Sequence, residues 1–353
     1  MHPLVYTLTY AFPILTIASL WMGGWALLLM PVITFVLIPI IELIWDGSTF
    51  NFEDQQLKSR QKEIVFDWLI YAIVPLQLGV VGALVYFCSI GHYSVLEFVM
   101  AVFSAGLCCG AFGINVAHEF GHRKNKFDQL CAKILLLTSL YMHFFIEHNR
   151  GHHARVATEE DPASSWRGQT LYGFWSRSVI QGYLSAWELE NKRLRRRFDV
   201  PWLTLQNEML RFQLIQGAVV GLIAGIFGWV AALGFVLAAC VGFLLLETVN
   251  YVEHYGLRRN QKANGRFERV MPWHSWNSNH AIGRVLLFEL TRHSDHHANP
   301  GRKYPTLRHF DESPQLPTGY PGMIVLALFP PAWFSVMNPH LDRELNRLES
   351  RVA

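Results

Sequence analysis

Nine histidines fall in four short segments: His118-Glu-Phe-Gly-His122, Glu147-His148-Asn-Arg-Gly-His152-His153, Glu253-His254 and Arg292-His293-Ser-Asp-His296-His297. Histidines at i and i+4, as in His118/His122 and His148/His152, or at i and i+3, as in His293/His296, project from one helix face about 5 to 6 Å apart. That is a chelating geometry. The adjacent pairs His152-His153 and His296-His297 each add a ring about 100° further round the helix, so one segment can serve two neighbouring ions. Nine imidazoles exceed the coordination of one ion, and two metals are expected. Imidazole suits zinc, copper, iron and nickel alike, so the ligand set alone does not choose among them. Two divalent ions held by neutral rings leave about four positive charges, which calls for nearby anions. Glu119, Glu147, Asp161, Glu253 and Asp295 stand beside the rings and are expected to balance and orient them.

His118-Glu-x-x-His122 also matches the zinc-peptidase pattern, in which the glutamate is a general base. A peptidase needs one more ligand, and six of the nine clustered histidines would then have no role. The isolated His2, His92, His309 and His340 are read as hydrogen-bonded structural residues.

The elements that carry these clusters are apolar. Of 353 residues 51% are hydrophobic and 16% charged, against roughly 25% charged in a soluble domain, which argues against a soluble enzyme. Six runs, at about 4–23, 25–45, 64–88, 95–117, 212–230 and 233–252, reach the roughly 20 helical residues needed to cross a bilayer. They pair into three hairpins. The turns within hairpins, Gly23-Gly24, 89–94 and 228–234, hold no Lys or Arg. The connections between hairpins hold Lys58, Arg60 and Lys62, then Arg123, Lys124 and Lys126, then Lys192, Arg193, Arg195, Arg196 and Arg197. The positive-inside rule makes that face cytoplasmic, together with both termini and all four histidine clusters. The run 130–146, with His143 inside it, is read as re-entrant or interfacial, because a crossing there would put two clusters on opposite faces. The stretch 319–336, broken by Pro321, Pro330 and Pro331, is read as a membrane-surface hairpin.

The expected architecture is thus an all-α integral membrane protein, one domain over 1–353, with six transmembrane helices and a helical, histidine-rich cytoplasmic cap at about 118–211 and 253–353 holding a dinuclear metal site. A formal net charge of +3 gives no reason to expect a nucleic-acid partner. Cys88, Cys108, Cys109, Cys131 and Cys240 lie in apolar stretches with no C-x-x-C pair, and read as small buried hydrophobes. The N-terminus has no Lys or Arg before its apolar run, so a removable signal peptide is not expected.

At these residues the chain resembles the integral-membrane alkane monooxygenases, the AlkB-type hydroxylases, within the wider histidine-rich membrane desaturases and hydroxylases. The resemblance is carried by HEFGHRK at 118–124, EHNRGHHARVATEEDPA at 147–163, NYVEHYGLRR at 250–259, WHSWNSNH at 273–280, LTRHSDHHANP at 290–300 and LPTGYPG at 316–322, and it extends over the six spans. The NYVEHYGL element distinguishes alkane hydroxylases from acyl-lipid desaturases. One departure is Thr291, where the family usually has Gln; it changes no ligand.

The resemblance implies a non-haem di-iron site held by His118, His122, His148, His152, His153, His254, His293, His296 and His297. It further implies O2 as co-substrate, electrons from rubredoxin and its reductase, and terminal hydroxylation of medium-chain n-alkanes taken from the lipid of a bacterial inner membrane. His274, His280, Asn277 and Asn279 belong to a family motif and are read as organising the cap or supporting the ligands. No rubredoxin-like cysteine pairs occur, so the donor is expected to be a separate protein or a domain outside this chain. Arg123, Lys124, Lys126, Arg195, Arg196 and Arg197 form a basic surface that would steer an acidic donor, though topology and anionic lipid explain the same charges. Phe35, near mid-membrane, is a candidate for setting the depth of the substrate cavity. The rival readings are a fatty-acyl desaturase or fatty-acid hydroxylase with a similar site, and a metal transporter or sensor.

Overall fold

The computed structural model describes every residue except Asp46 and Ala353, and of Glu349, Arg351 and Val352 the backbone only. Among the described residues the chain is helical, with two isolated bridges, Gln261 to Phe267 and Asn277 to Gln315, in place of any strand. In chain order the helices are α1 (Pro3–Met22), α2 (Gly24–Ile44), α3 (Asp54–Arg60), α4 (Ile64–Ser89), α5 (Val95–Gly121), α6 (Lys126–Leu137), α7 (144–155), α8 (Leu171–Phe198), α9 (Glu208–Phe227), α10 (Trp229–His254), α11 (Ala281–Leu286), α12 (His293–Ala298), α13 (Tyr320–Ala327) and α14 (Pro330–Val352). Six of these, α1, α2, α4, α5, α9 and α10, are long and apolar enough to cross a membrane.

The span count agrees with the sequence, but several ends move. α5 runs on through His118 to Gly121 and α10 through Glu253 to His254, so both carry their histidines on the last turns of a span and the cap begins later than expected. α9 starts at Glu208, where the Asn207 side chain accepts from the amides of Met209 and Leu210 at 2.9 and 3.3 Å, a cap that residue counting did not use. The expected turn 228–234 shrinks to Gly228 alone, whose φ of 86° ends one helix before Trp229 starts the next. The run 130–146 is broken: α6 stops at Leu137, Leu140 takes a φ of 47°, and helix resumes at Phe144. The stretch 319–336 forms the end-to-start junction of α13 and α14.

Interior prolines leave marks where their missing N–H frees a carbonyl. In α2 a π turn, Ile33–Leu37, precedes Pro39 and contains Phe35. In α4 the helical pattern lapses at Ala72, three residues before Pro75. A second π turn, Cys109–Ile114, lies just upstream of His118 in α5.

Chain contacts divide into two compact units, residues 1–33, 64–151 and 182–246 in the first, 34–63, 152–181 and 247–353 in the second. In the first, α5 and α10 approach closely through glycine. A Cβ on Gly110 would lie 2.7 Å from the Gly242 carbonyl oxygen, and one on Gly242 would lie 2.7 Å from the Cys109 Cβ, the small-residue contact by which apolar helices associate without a hydrophobic driving force. Ser94 and Glu97 form a capping box at the start of α5, and Glu97 also accepts from the Gly24 amide at 2.8 Å, fixing the first hairpin turn. In the second unit the core is aromatic: Phe174, Tyr251, Tyr255, Trp276, Tyr320 and Trp333 are all buried, packed with Met323, Met337 and Leu341. Arg292 donates to the carbonyls of Phe50 and Leu307 at 2.9 Å each and of Ser48 at 3.1 Å, so one buried guanidinium ties three carbonyls together immediately before the histidines of α12.

Candidate metal centre

Within the first unit three rings converge. The last turn of α5 presents His118 and His122 as the i,i+4 spacing requires, with Nε2 atoms 3.1 Å apart, and His122 Nε2 lies a further 3.1 Å from that of His148. Gly121 permits the approach, since a Cβ there would meet the Asn149 amide nitrogen at 3.2 Å. Arg123 follows the pair and donates to Glu119 at 3.0 Å and Asp67 at 2.9 Å, with Asp128 at 3.8 Å. Glu147 accepts from Ser185 at 3.2 Å.

Within the second unit the Nε2 atoms of His152 and His297 lie 3.3 Å apart, as do those of His293 and His254. The ligand nitrogens of these four buried rings all fall within 4.8 Å of one another. Beside them His153 and His296 face each other at 3.1 Å. The adjacent pairs divide: His152 and His297 join the quartet, while their neighbours His153 and His296 face each other.

Two spacing expectations fail. His148 and His152 do not chelate together, because the backbone over His148–His152 is a π turn, whose i→i+5 bonding turns i and i+4 off a common face. His293 and His296 also separate. Their rings stack with centroids 5.7 Å apart, yet one Nε2 meets His254 and the other His153.

Nitrogens sharing a metal at bonds of about 2.1 Å stand roughly 3.0 to 3.4 Å apart at neighbouring coordination positions. The observed 3.1 and 3.3 Å separations fit that polyhedron. Four buried neutral rings that turn their ligand nitrogens toward one another present lone pairs that a single cation can accept together. Burial, reinforced by the neighbouring rings, holds the imidazolium form of His297 well below its usual range, so the ring stays in the neutral state a metal binds.

The acids sort by what they touch. Asp161 Oδ2 is 2.9 Å from His152 Nδ1, fixing the tautomer that turns Nε2 inward. Ser164 donates to the same oxygen at 2.6 Å. Burial pushes this carboxyl upward, but His152 and the Ser164 hydroxyl outweigh it and hold it below its usual range. Glu253 Oε2 stands 3.1 Å from His293 Nε2, and its Oε1 accepts from the Tyr320 hydroxyl at 2.7 Å. Burial, then the Glu253 charge, pushes the Tyr320 phenol upward, so it stays a donor. Asp295 instead gathers the following loop, accepting from Arg302 at 2.7 Å and from Asn299 and the Arg308 amide at 2.8 Å.

His274, His280, Asn277 and Asn279 organise loops: His274 Nδ1 accepts from the Met271 amide at 3.0 Å, His280 Nδ1 pairs with Ser278 at 3.0 Å, the Asn277 amide donates to Pro314 at 2.8 Å, and Asn279 donates to Gln315 at 2.7 Å. His309 and His340 find structural partners too, Asp311 at 3.1 Å and the Gln315 carbonyl at 2.7 Å. Of the basic candidates, Lys124, Lys126 and Arg195 to Arg197 are exposed, but Arg123 has a side chain only 9% accessible and spends its charge on three carboxylates. It drops out of the proposed docking surface. Phe35 is half-buried. Sequence reading missed Tyr320 and Ser164. Tyr320 lay in the quoted LPTGYPG motif, but a contact spanning 67 residues has no local signature.

A profile of the fatty acid desaturase family matches residues 93–327. The alkane 1-monooxygenase 2 of Pseudomonas aeruginosa is 41% identical over 328 residues, covering 92% of this chain and 86% of that protein. The alkane 1-monooxygenase of Pseudomonas putida is 36% identical over 352 residues, covering 98% and 87%. The hydroxylase component of a Pseudomonas putida xylene/toluene monooxygenase is 28% identical, covering 76% and 71%.

Proposed function

The chain belongs to the alkane 1-monooxygenases, within the fatty acid desaturase family, and on that premise we propose that it hydroxylates the terminal methyl group of medium-chain n-alkanes to 1-alkanols. The observation that carries the reading is the convergence of nine buried or half-buried histidines into a triad, a pair and a quartet with metal-ligand spacing. The quartet His152, His254, His293 and His297 would hold one iron, and His118, His122 and His148 in the first unit, with His153 and His296 in the second, are the remaining candidate iron ligands. Rubredoxin, reduced by its reductase, supplies two electrons per turnover. Iron held by these histidines would supply O2 activation, with two electrons and two protons leaving one oxygen atom in the alcohol and the other in water.

The chain's own residues hold and shape that chemistry. Asp161 orients His152, Glu253 supplies negative charge beside His293, and the surrounding aromatic packing keeps bulk water from the buried rings. The spans deliver the substrate. Taking an alkane from water to an apolar site gains roughly 0.8 kcal/mol per CH2, but transfer from lipid to an apolar cavity gains almost none. Chain-length selection must therefore come from cavity depth. The protein is integral to a membrane, and the charge of its loops supports an inner-membrane placement with the metal centre and both termini in the cytoplasm.

The desaturase profile supports one second reading, oxidation of a fatty-acyl chain at a similar centre. Purified protein supplied with iron, rubredoxin, reductase and NADH, given octane or an acyl lipid in parallel, separates the two. 1-Octanol from the first incubation is expected; an unsaturated or hydroxylated acyl product with untouched octane would favour the alternative.

A further inference from the structure

We infer that Asn115 is a binding residue for the product of the reaction: its side-chain amide donates a hydrogen bond to the hydroxyl of a primary alcohol whose alkyl chain runs back among the spans. The inference rests on the function proposed above. Asn115 lies on α5 three residues before His118, and the backbone is α-helical from Asn115 to Gly121. At 100° per residue it stands about 60° round the helix axis from His118 and about 20° from His122, so the three share a face. At 1.5 Å per residue it is also about 4.5 Å deeper along the span than His118. A helical side chain leans toward the N-terminal end of its helix, so the His118 ring reaches back over the turn that carries Asn115. The π turn Cys109–Ile114 ends on the residue before Asn115, and its extra residue sets the phase of the Asn115, His118 and His122 stripe.

The amide of Asn115 has no partner in the fold. The residue is 8% exposed, and its Nδ2 is a buried donor with no acceptor among the described residues. By contrast the buried Gln77 of α4 donates to Cys109 Sγ at 3.2 Å, and the hydroxyls of Thr16 and Ser104 donate to the carbonyls of Phe12 and Leu27. An unmet N–H in a span is costly, because no bulk water is at hand to relieve it, so the position calls for a ligand that brings an acceptor. An n-alkane brings none. The reaction itself creates one, on the terminal carbon that must come close to the histidine-held iron from the membrane side. Phe144, stacked on His148 with centroids 4.7 Å apart and 6.5 Å from the His118 ring, offers a new hydroxyl no comparable donor. With alkane bound the amide stays unpaired, and with alcohol bound it is paired. The alcohol is therefore held more tightly than a methyl-ended chain of the same length.

The test measures binding and needs no turnover. Full-length wild type, Asn115→Leu and Asn115→Gln, iron-loaded and without an electron donor, are held in phosphatidylcholine nanodiscs, where 1-octanol and nonane, equal in heavy atoms, compete for the site of tritiated octane. The ratio of the two affinities, compared between variants, cancels partition into lipid. It is expected to fall about tenfold from wild type to Asn115→Leu, and by less in Asn115→Gln, which keeps the donor on a longer arm. Because the amide has no partner in the ligand-free fold, Asn115→Leu is expected to leave the ligand-free thermal midpoint unchanged or to raise it. A ratio that stays at the wild-type value in Asn115→Leu would overturn the inference. So would a midpoint that drops in that variant, because the amide would then serve the fold and not a ligand. A wild type that binds no octane would instead overturn the alkane reading on which the inference stands.

Discussion

Histidine spacing made the clusters legible as a set of candidate ligands but not which rings meet. The i,i+4 rule sorted His118 with His122 correctly, then misassigned His148 to His152, because the rule presumes an α-helix and the segment is a π turn. Adjacent-pair logic fared better, since consecutive rings diverge in any helix. Two predictions belong here. His254→Ala removes a quartet ligand and is expected to reduce bound iron from about two per chain to about one and to cut hydroxylation by 100-fold or more, read by metal analysis beside product assay. Asp161→Asn keeps the size of the side chain but removes the charge that fixes His152, and should weaken iron binding by about 10 to 100-fold without unfolding the protein. An unchanged iron titration in that variant would show that His152 needs no such partner.

At the scale of elements, hydropathy located six spans because each needs a long apolar run, yet it placed their ends poorly. Polar residues at 118–121 and 253–254 read as the start of a cap, whereas backbone hydrogen bonding carries α5 and α10 through them. The glycine contact between α5 and α10 was invisible for another reason: a glycine in an apolar run looks alike whether it faces lipid or a neighbouring backbone. Gly110→Ala puts a methyl group 2.7 Å from the Gly242 carbonyl oxygen and should destabilise the helix pair by about 1 to 3 kcal/mol. Thermal unfolding in detergent is the check, with Gly217→Ala on α9, where an added Cβ meets open space, expected to change little.

For the whole molecule, the fold class, the membrane setting and a histidine cluster able to bind metal were readable, because composition, charge distribution and histidine density each constrain the complete chain. Tertiary partners such as Glu253 and Tyr320 were not, since nothing local links them. Charge reversal at Arg195, Arg196 and Arg197, all exposed, is expected to lower rubredoxin-dependent kcat/KM about tenfold at low salt, with the difference closing as ionic strength rises; kinetics that match wild type at every salt concentration would remove these residues from donor docking. Phe35→Ala, which removes a ring from the π turn of α2, should shift the preferred alkane toward longer chains if Phe35 sets the depth of the substrate cavity, each methylene being worth about 1 to 3 kcal/mol of discrimination. The most direct test of the account follows the oxygen. With iron-loaded protein, reduced rubredoxin, octane and 18O2, the account predicts 1-octanol carrying one 18O atom. Alcohol labelled from water, or consumption of O2 with no terminal alcohol formed, would contradict it.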